Sequence, residues 1–197
     1  MKKLASGFCL CVIAMSSIWA GSFGIEMGWT LEDLDTHGIT YEKYDQDYNI
    51  TIYDVVPVST HPDFESYYVK IDTEKGIFEI SAIGVDISTS VYGTELKSAY
   101  EKIRNQVSIA YGTPEEYDYV NYGSIWDEPE DWMMALELGE RSLLSFWETD
   151  YSNIEVVMLE ADALSDTEGY LHLGYQTYSS IIEEILARHD ASASSVF

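Results

Sequence analysis

Consecutive strand-like segments with no helix between them are the feature that most constrains this fold. Residues 50–56, 66–71 and 77–83 are rich in Tyr, Val and Ile, and proline or glycine residues separate them. Neighbouring parallel strands need a crossover connection of about a dozen residues or more, usually a helix. The short connections here therefore predict antiparallel pairing and an α+β fold.

Three further segments carry helix signals. Thr30 and Asp33 form a capping-box pattern at the start of a helix of about two turns, which Gly38 ends. Residues 94–111 place apolar side chains at helical spacing, so we expect one long amphipathic helix there. Residues 180–189 begin with a second capping-box pattern and predict a closing helix.

The remaining segments complete the predicted sheet. Residues 129–138 fit either a short helix or a hairpin arm. Residues 27–32 and 91–96 are faintly alike, which hints at two tandem helix-plus-sheet units, although six residues alone do not establish a repeat. We predict an antiparallel sheet of about 6–7 strands with two to four helices. The additional strand-like segments are residues 117–122, 143–148, 154–161 and 170–177.

The first twenty residues have the layout of a secretory signal peptide. A basic start is followed by a largely apolar stretch over residues 4–18, and Ala20 and Gly21 supply small residues at its end. A retained membrane anchor is the alternative, but the apolar stretch is shorter than the ~20 residues that a spanning helix needs. We expect removal of residues 1–20, with a cut after Ser16 as another option, and location in the periplasm or outside the cell.

The cysteines and the length define the expected domain. Cys9 and Cys11 both lie in the signal segment, so the rest of the chain has no disulfide and no thiolate zinc site. Residues 21–190 are enough to bury a hydrophobic core, and we predict one α+β domain with no membrane span. Residues 191–197 are predicted to form a flexible tail.

The charge of the chain excludes some partners. With 35 acidic and ten basic residues, the formal net charge is −25, and the lysines and arginines are not clustered. Nucleic acid and anionic lipid are therefore unsuitable partners, because binding to phosphate needs a positive patch. The acidic surplus is compatible with a basic partner, with cation binding, or with solubility alone.

One segment is dense in residues typical of binding sites. Between Ser124 and Met134, four carboxylates lie between two tryptophans, an arrangement that suits a calcium or sugar site. The same residues also fit the start of a helix, with acidic side chains at the positive end of its dipole and Trp132 facing the core. The candidate binding residues are Trp126, Asp127, Glu128, Trp132 and Trp147.

Other patterns do not identify a catalytic site. Residues 45–56 match an EF-hand loop only at its first ligand positions, and the four histidines lack the spacing of a helical zinc pair. His172 lies between two leucines in a predicted strand, so it should point to the opposite face from theirs. No serine-hydrolase elbow or phosphate-binding loop occurs. We assign no catalytic residue, no metal ligand and no cofactor.

Three segments support a resemblance to a known group of proteins. Residues 124–134, 141–147 and 169–175 resemble a family of small uncharacterised exported proteins of Gram-negative bacteria, over residues 23–178. The resemblance implies export and a single domain, without an activity. The layout is also similar to the β-lactamase inhibitor protein fold and to BamE-type lipoproteins, although the inhibitor's disulfides and the lipidated cysteine have no counterpart here.

The sixteen tyrosines suggest what such a domain does. Tyrosine on an antiparallel sheet face is a common way to build a protein-binding surface, although the rings also fill cores. We predict a non-catalytic interaction or inhibitor-like module whose partner is another envelope protein. The alternative is a glycan-binding or glycan-hydrolysing protein that uses tryptophan stacking and paired carboxylates.

Overall fold

The computed structural model describes residues 22–194. The predicted signal peptide, with its cleavage site and both cysteines, lies outside the described residues, as do residues 195–197 of the predicted tail. No helix among the described residues is long and apolar enough to span a membrane.

Within residues 22–194, nine strands form one antiparallel sheet. Its order is β1-β2-β3-β4-β9-β8-β7-β6, and the short β5 pairs with β9. The strands are β1 (Thr40–Asp47), β2 (Ile50–Val56), β3 (Phe64–Asp72), β4 (Gly76–Gly84), β5 (Ile87–Ser88), β6 (Glu115–Val120), β7 (Arg141–Glu148), β8 (Val156–Ser165) and β9 (Glu168–Gln176).

The sheet consists of two meanders of four strands. β1 to β4 follow one another as neighbours, and so do β6 to β9. The two meanders join where β4 pairs with β9 in the middle of the sheet, with Ile80 opposite Tyr175. A helix precedes each meander, so the order of elements matches two helix-plus-sheet units within one continuous sheet.

The described part of the chain has four α-helices besides the sheet. They are α1 (Leu31–Thr36), α2 (Thr94–Tyr111), α3 (Trp132–Glu137) and α4 (Ser179–Ser194). α1 has the predicted capping box, in which the Thr30 hydroxyl accepts from the Asp33 amide and the Asp33 carboxylate accepts from the Thr30 amide. α2 has the predicted bounds and buries Leu96, Tyr100 and Ile103 along one stripe.

The helices α1, α2 and α3 pack on one side of the sheet, which we call the helix face. Alternate strand residues point to this side and are buried against the helices. The core formed there includes Val69, Ile80, Trp147, Leu159 and Leu173. The other side of the sheet, which we call the open face, carries the intervening residues of the same strands.

The last helix has a different place. α4 lies against the β1–β2 and β3–β4 turns, where Arg188 bonds to Asp72 and His189 to Asp47. Its first amide, that of Ser179, donates to the Glu155 carboxylate at 2.5 Å, so the helix begins there. The predicted closing helix ended at residue 189, whereas the observed helix runs to Ser194 and includes residues 191–194 of the predicted tail.

The predicted α+β class and its antiparallel sheet are confirmed. The sheet has more strands than predicted because β1 and β5 were not recognised. The ambiguous segment is helical: Pro129–Asp131 forms a 3₁₀ turn and α3 follows it directly. As the helix-start interpretation requires, Trp132, Met133 and Leu136 are buried.

Candidate functional site

The open face is the extended surface that no helix among α1 to α3 covers. Cross-strand neighbours in an antiparallel sheet share one face, so the register defines which side chains lie there. One row across the sheet runs from Tyr117 through Leu144, Glu160 and His172 to Ile83. These side chains are half-buried or exposed.

Two aromatic pairs flank the centre of the open face. Tyr44 and Tyr68 contact each other edge-to-face at 5.6 Å between ring centroids, and Tyr117 and Phe146 do so at 6.0 Å. Tyr44 is 71% exposed and Tyr117 is 42% exposed. Four strand spacings separate β3 from β7, so Tyr68 and Phe146, the nearest rings of the two pairs, lie about 19 Å apart. Aromatic rings in such contacts offer apolar area to a partner, and ordering them on binding costs little side-chain entropy.

Charged side chains occupy the area between and around these pairs. Within residues 22–194, Lys70 is the one lysine or arginine that the strand register places on the open face, and it is paired with Glu79 at 2.8 Å. Arg104 and Arg141 bind Glu116 and Asp118 on the helix face. The open face is therefore strongly acidic, with Glu42, Asp54, Glu79, Glu115, Glu148, Glu160 and Asp162 upon it.

Two of these carboxylates, Glu160 and Asp162, form a compact cluster with His172 at the centre of the open face. Glu160 and Asp162 are two residues apart on β8 and therefore project from the same face, and His172 of β9 lies opposite Glu160. Their ligand-type atoms all lie within 4.8 Å of one another. The His172 Nε2 atom lies 3.2 Å from the Ser81 hydroxyl, which connects the cluster to β4.

Partial burial makes this cluster electrostatically unusual. Burial raises the pKa of the Glu160 carboxyl, and the neighbouring Asp162 charge raises it further. Burial also raises the pKa of Asp162, although His172 and Tyr170 oppose that shift. Burial lowers the pKa of His172, against the attraction of Asp162 and Glu79. Desolvation thus disfavours the charged form of every member.

The structure separates the predicted site residues. Trp132 is 4% exposed and Trp147 is 1% exposed, and the Trp147 indole donates to the Gly112 carbonyl at 3.1 Å. Both indoles are core side chains, so neither is presented to a partner or a sugar ring. Trp126 is half-buried in the loop before α3, and Asp127 and Glu128 are exposed beside it. Trp132 and Trp147 are therefore not exposed together with Trp126, Asp127 and Glu128.

A cleft on the helix face is a second concavity. It has a volume of about 520 Å³ and is lined mainly by apolar side chains of α2 and the sheet, with Phe23 at its edge. The Tyr111 hydroxyl there is buried without a hydrogen-bond partner, and burial raises the pKa of Tyr111 to about 12. The cleft contains no cluster of titratable groups comparable with that of the open face.

Comparison with known proteins assigns neither a family nor a structural relative to this chain. No family model matches this sequence, and neither a curated protein nor a solved structure matches it. The resemblance to small exported Gram-negative proteins, and the layout similarity to inhibitor and BamE-type folds, therefore remain predictions.

Sequence reasoning missed the central cluster, although part of its signal was present. It placed His172 correctly on the face opposite Leu171 and Leu173. The alternation of Glu160 and Asp162 with Leu159 and Ala161 marks two carboxylates on the same face of one strand. Only the pairing of β8 with β9 then brings His172 to them.

Proposed function

We propose that this protein is an exported, non-catalytic interaction module that binds another envelope protein on its open face. The observation that carries the proposal is the pair of aromatic contacts, Tyr44 with Tyr68 and Tyr117 with Phe146, on either side of an acidic centre. Aromatic anchors within a polar surround are typical of protein interfaces.

The charge of the open face specifies the partner's chemistry. Carboxylates outnumber the single lysine of this face among residues 22–194, so the complementary surface is basic. Charge complementarity of this kind speeds association and excludes other acidic surfaces. We therefore expect a partner with a basic face that carries apolar side chains at two positions about 19 Å apart.

Affinity capture with matched variants tests this proposal. The purified protein is immobilised and exposed to Gram-negative envelope extract, in parallel with a Tyr44→Ala/Tyr68→Ala variant. Tyr122→Ala is the control, because Tyr122 is fully exposed in the turn after β6 and lies off the open face. Circular dichroism and thermal melting confirm that each variant is folded.

We expect one saturable partner with a basic surface, retained by the wild type and by Tyr122→Ala and lost by the double variant. Binding that weakens as salt is raised would agree with the charge argument. The proposal fails if no saturable partner is captured, or if the double variant retains the partner as well as the wild type does.

Export is tested separately. We expect cell fractionation to place the protein in the periplasm or the medium, with a mass lower than that of the full chain by the residues of the signal segment. A full-length protein found in the cytoplasm would contradict the proposed location.

A further inference from the structure

We propose that Glu160, Asp162 and His172 form a binding site for a divalent transition-metal ion, with Zn²⁺ as the favoured ion. The proposal rests on the geometry and chemistry of these three side chains, and it does not depend on the interaction role of the open face.

The strand geometry makes the three ligands converge. Residues i and i+2 of a strand project from one face, so Glu160 and Asp162 stand side by side, and cross-strand pairing adds His172 from β9. The ligand atoms lie within 4.8 Å of one another. Ligands on a tetrahedral Zn²⁺ at ~2.0–2.1 Å are about 3.4 Å apart, so side-chain rotations that shorten these distances by at most about 1.4 Å would close the site.

The charges around the cluster also favour a cation. Two half-buried carboxylates lie next to each other, and no lysine or arginine of residues 22–194 is within ion-pair distance of either one. Partly desolvated like charges are unfavourable unless a counter-charge is present. A divalent ion provides two positive charges at that position and would compensate both carboxylates.

His172 is held in the way that metal-ligating histidines usually are. Its Nε2 atom hydrogen bonds to the Ser81 hydroxyl. The same Nε2 atom lies beside Gly174, 3.8 Å from the position that a Cβ on this glycine would take. On β9, Gly174 and Tyr170 flank His172, and it is Tyr170 that lies opposite Asp162. Because Nε2 lies on the Gly174 side, away from Asp162, Nδ1 is the ring nitrogen that we assign to the ion. An outer partner on the second nitrogen fixes the ring and its tautomer.

The ligand set selects the class of ion. One imidazole with two carboxylates suits Zn²⁺ and its transition-metal neighbours, whereas Ca²⁺ and Mg²⁺ prefer oxygen ligands alone. Three protein ligands leave a fourth position of the ion to water, as in zinc sites with an open coordination position. The exposed side of the cluster faces the solvent above the sheet.

Isothermal titration of the untagged, chelator-treated protein with ZnCl₂ tests the site. We expect one ion per chain, together with at least a tenfold loss of affinity in both His172→Ala and Asp162→Asn. His61→Ala is the matched control, because His61 also lies near a carboxylate, Asp63, at 3.8 Å but is outside the cluster. Mg²⁺ should give no saturable heat under the same conditions.

A second readout does not depend on the folding of any variant. Co²⁺ added to the wild type should give visible absorption of a nitrogen- and oxygen-ligated ion, and the His172 ring resonances should shift or broaden in NMR spectra. The proposal is overturned if Zn²⁺ gives no saturable heat, if His172→Ala binds as tightly as the wild type, or if Co²⁺ leaves the His172 signals unchanged.

Discussion

Replacing the buried Asp72 with alanine should strongly destabilise the protein, because its carboxylate organises one end of the fold. The side chain is fully buried and accepts four hydrogen bonds. Asn49 Nδ2 donates at 2.6 Å, Arg188 at 2.5 Å, and the backbone amides of Glu74 and Lys75 at 3.0 and 2.9 Å. These donors belong to the β1–β2 turn, the β3–β4 turn and α4.

The expected cost follows from those contacts. A hydrogen bond to a charged group contributes about 1.5–3 kcal/mol, but such contributions are not additive within one network. Removing one member of a buried ion pair costs about 3–5 kcal/mol when the other member is left as an uncompensated buried charge. Since Arg188 is 28% exposed and can regain water, we expect Asp72→Ala to cost about 3 kcal/mol.

Arg188→Ala is the matched comparison. It removes one donor and leaves Asn49 and two backbone amides on the carboxylate, so we expect a cost of about 1 kcal/mol. Urea unfolding followed by tryptophan fluorescence measures both values. A cost below about 1 kcal/mol for Asp72→Ala, or equal costs for Asp72→Ala and Arg188→Ala, would contradict this role of the Asp72 carboxylate.

Three further predictions concern acid stability, a close packing contact and a buried hydrogen bond. Burial opposes ionisation of Asp72, but hydrogen bonds from Asn49 and the turn amides, with the Arg188 charge, outweigh it and lower the pKa of Asp72. The ionised Asp72 carboxylate therefore stabilises the fold fully above its unfolded pKa of about 3.9, and this stabilisation is lost as pH falls through the folded pKa. The free energy of unfolding, measured against pH, should fall less steeply in acid for Asp72→Asn than for the wild type. Gly93→Ala should cost at least about 2 kcal/mol of stability, because φ is +67° and the new Cβ would lie 2.2 Å from the Trp132 ring. Gly112→Ala should cost less, because Gly112 also has a positive φ but has open space around it. Thermal melting measures both variants. Tyr100→Phe should cost about 1–2 kcal/mol in urea unfolding, because it leaves the buried Ser145 hydroxyl, now 2.6 Å away, without its partner. Additive costs of Tyr100→Phe and Ser145→Ala would contradict this account of the pair.

The parts of the fold that were predictable are those whose burial follows a simple period. α2 buries one stripe of an 18-residue helix, and β2 alternates buried and more exposed side chains, so their bounds agree with the sequence pattern. β1 escaped prediction because it is an edge strand whose residues are nearly all exposed. Its polar sequence from Thr40 to Asp47 looks like a turn, and only pairing with β2 makes it a strand.

The candidate site was less predictable because it depends on pairing between distant segments. The sequence indicates which face His172 occupies, but the register of β8 against β9 decides that Glu160 is opposite it. Tryptophan content was misleading, because Trp132 and Trp147 fill the core, whereas tyrosines such as Tyr44 and Tyr117 are exposed. Composition alone does not separate these two uses of aromatic side chains.

Site-specific photo-crosslinking in cells shows whether the open face binds a partner. A benzophenone side chain replaces Tyr44 or Tyr117 on the open face, Tyr122 in the turn after β6, or Ile109, which is 84% exposed on α2. We expect crosslinks from positions 44 and 117 to the same basic protein, and none from 122 or 109. Crosslinks from position 109 or 122 with none from the open face would contradict this expectation.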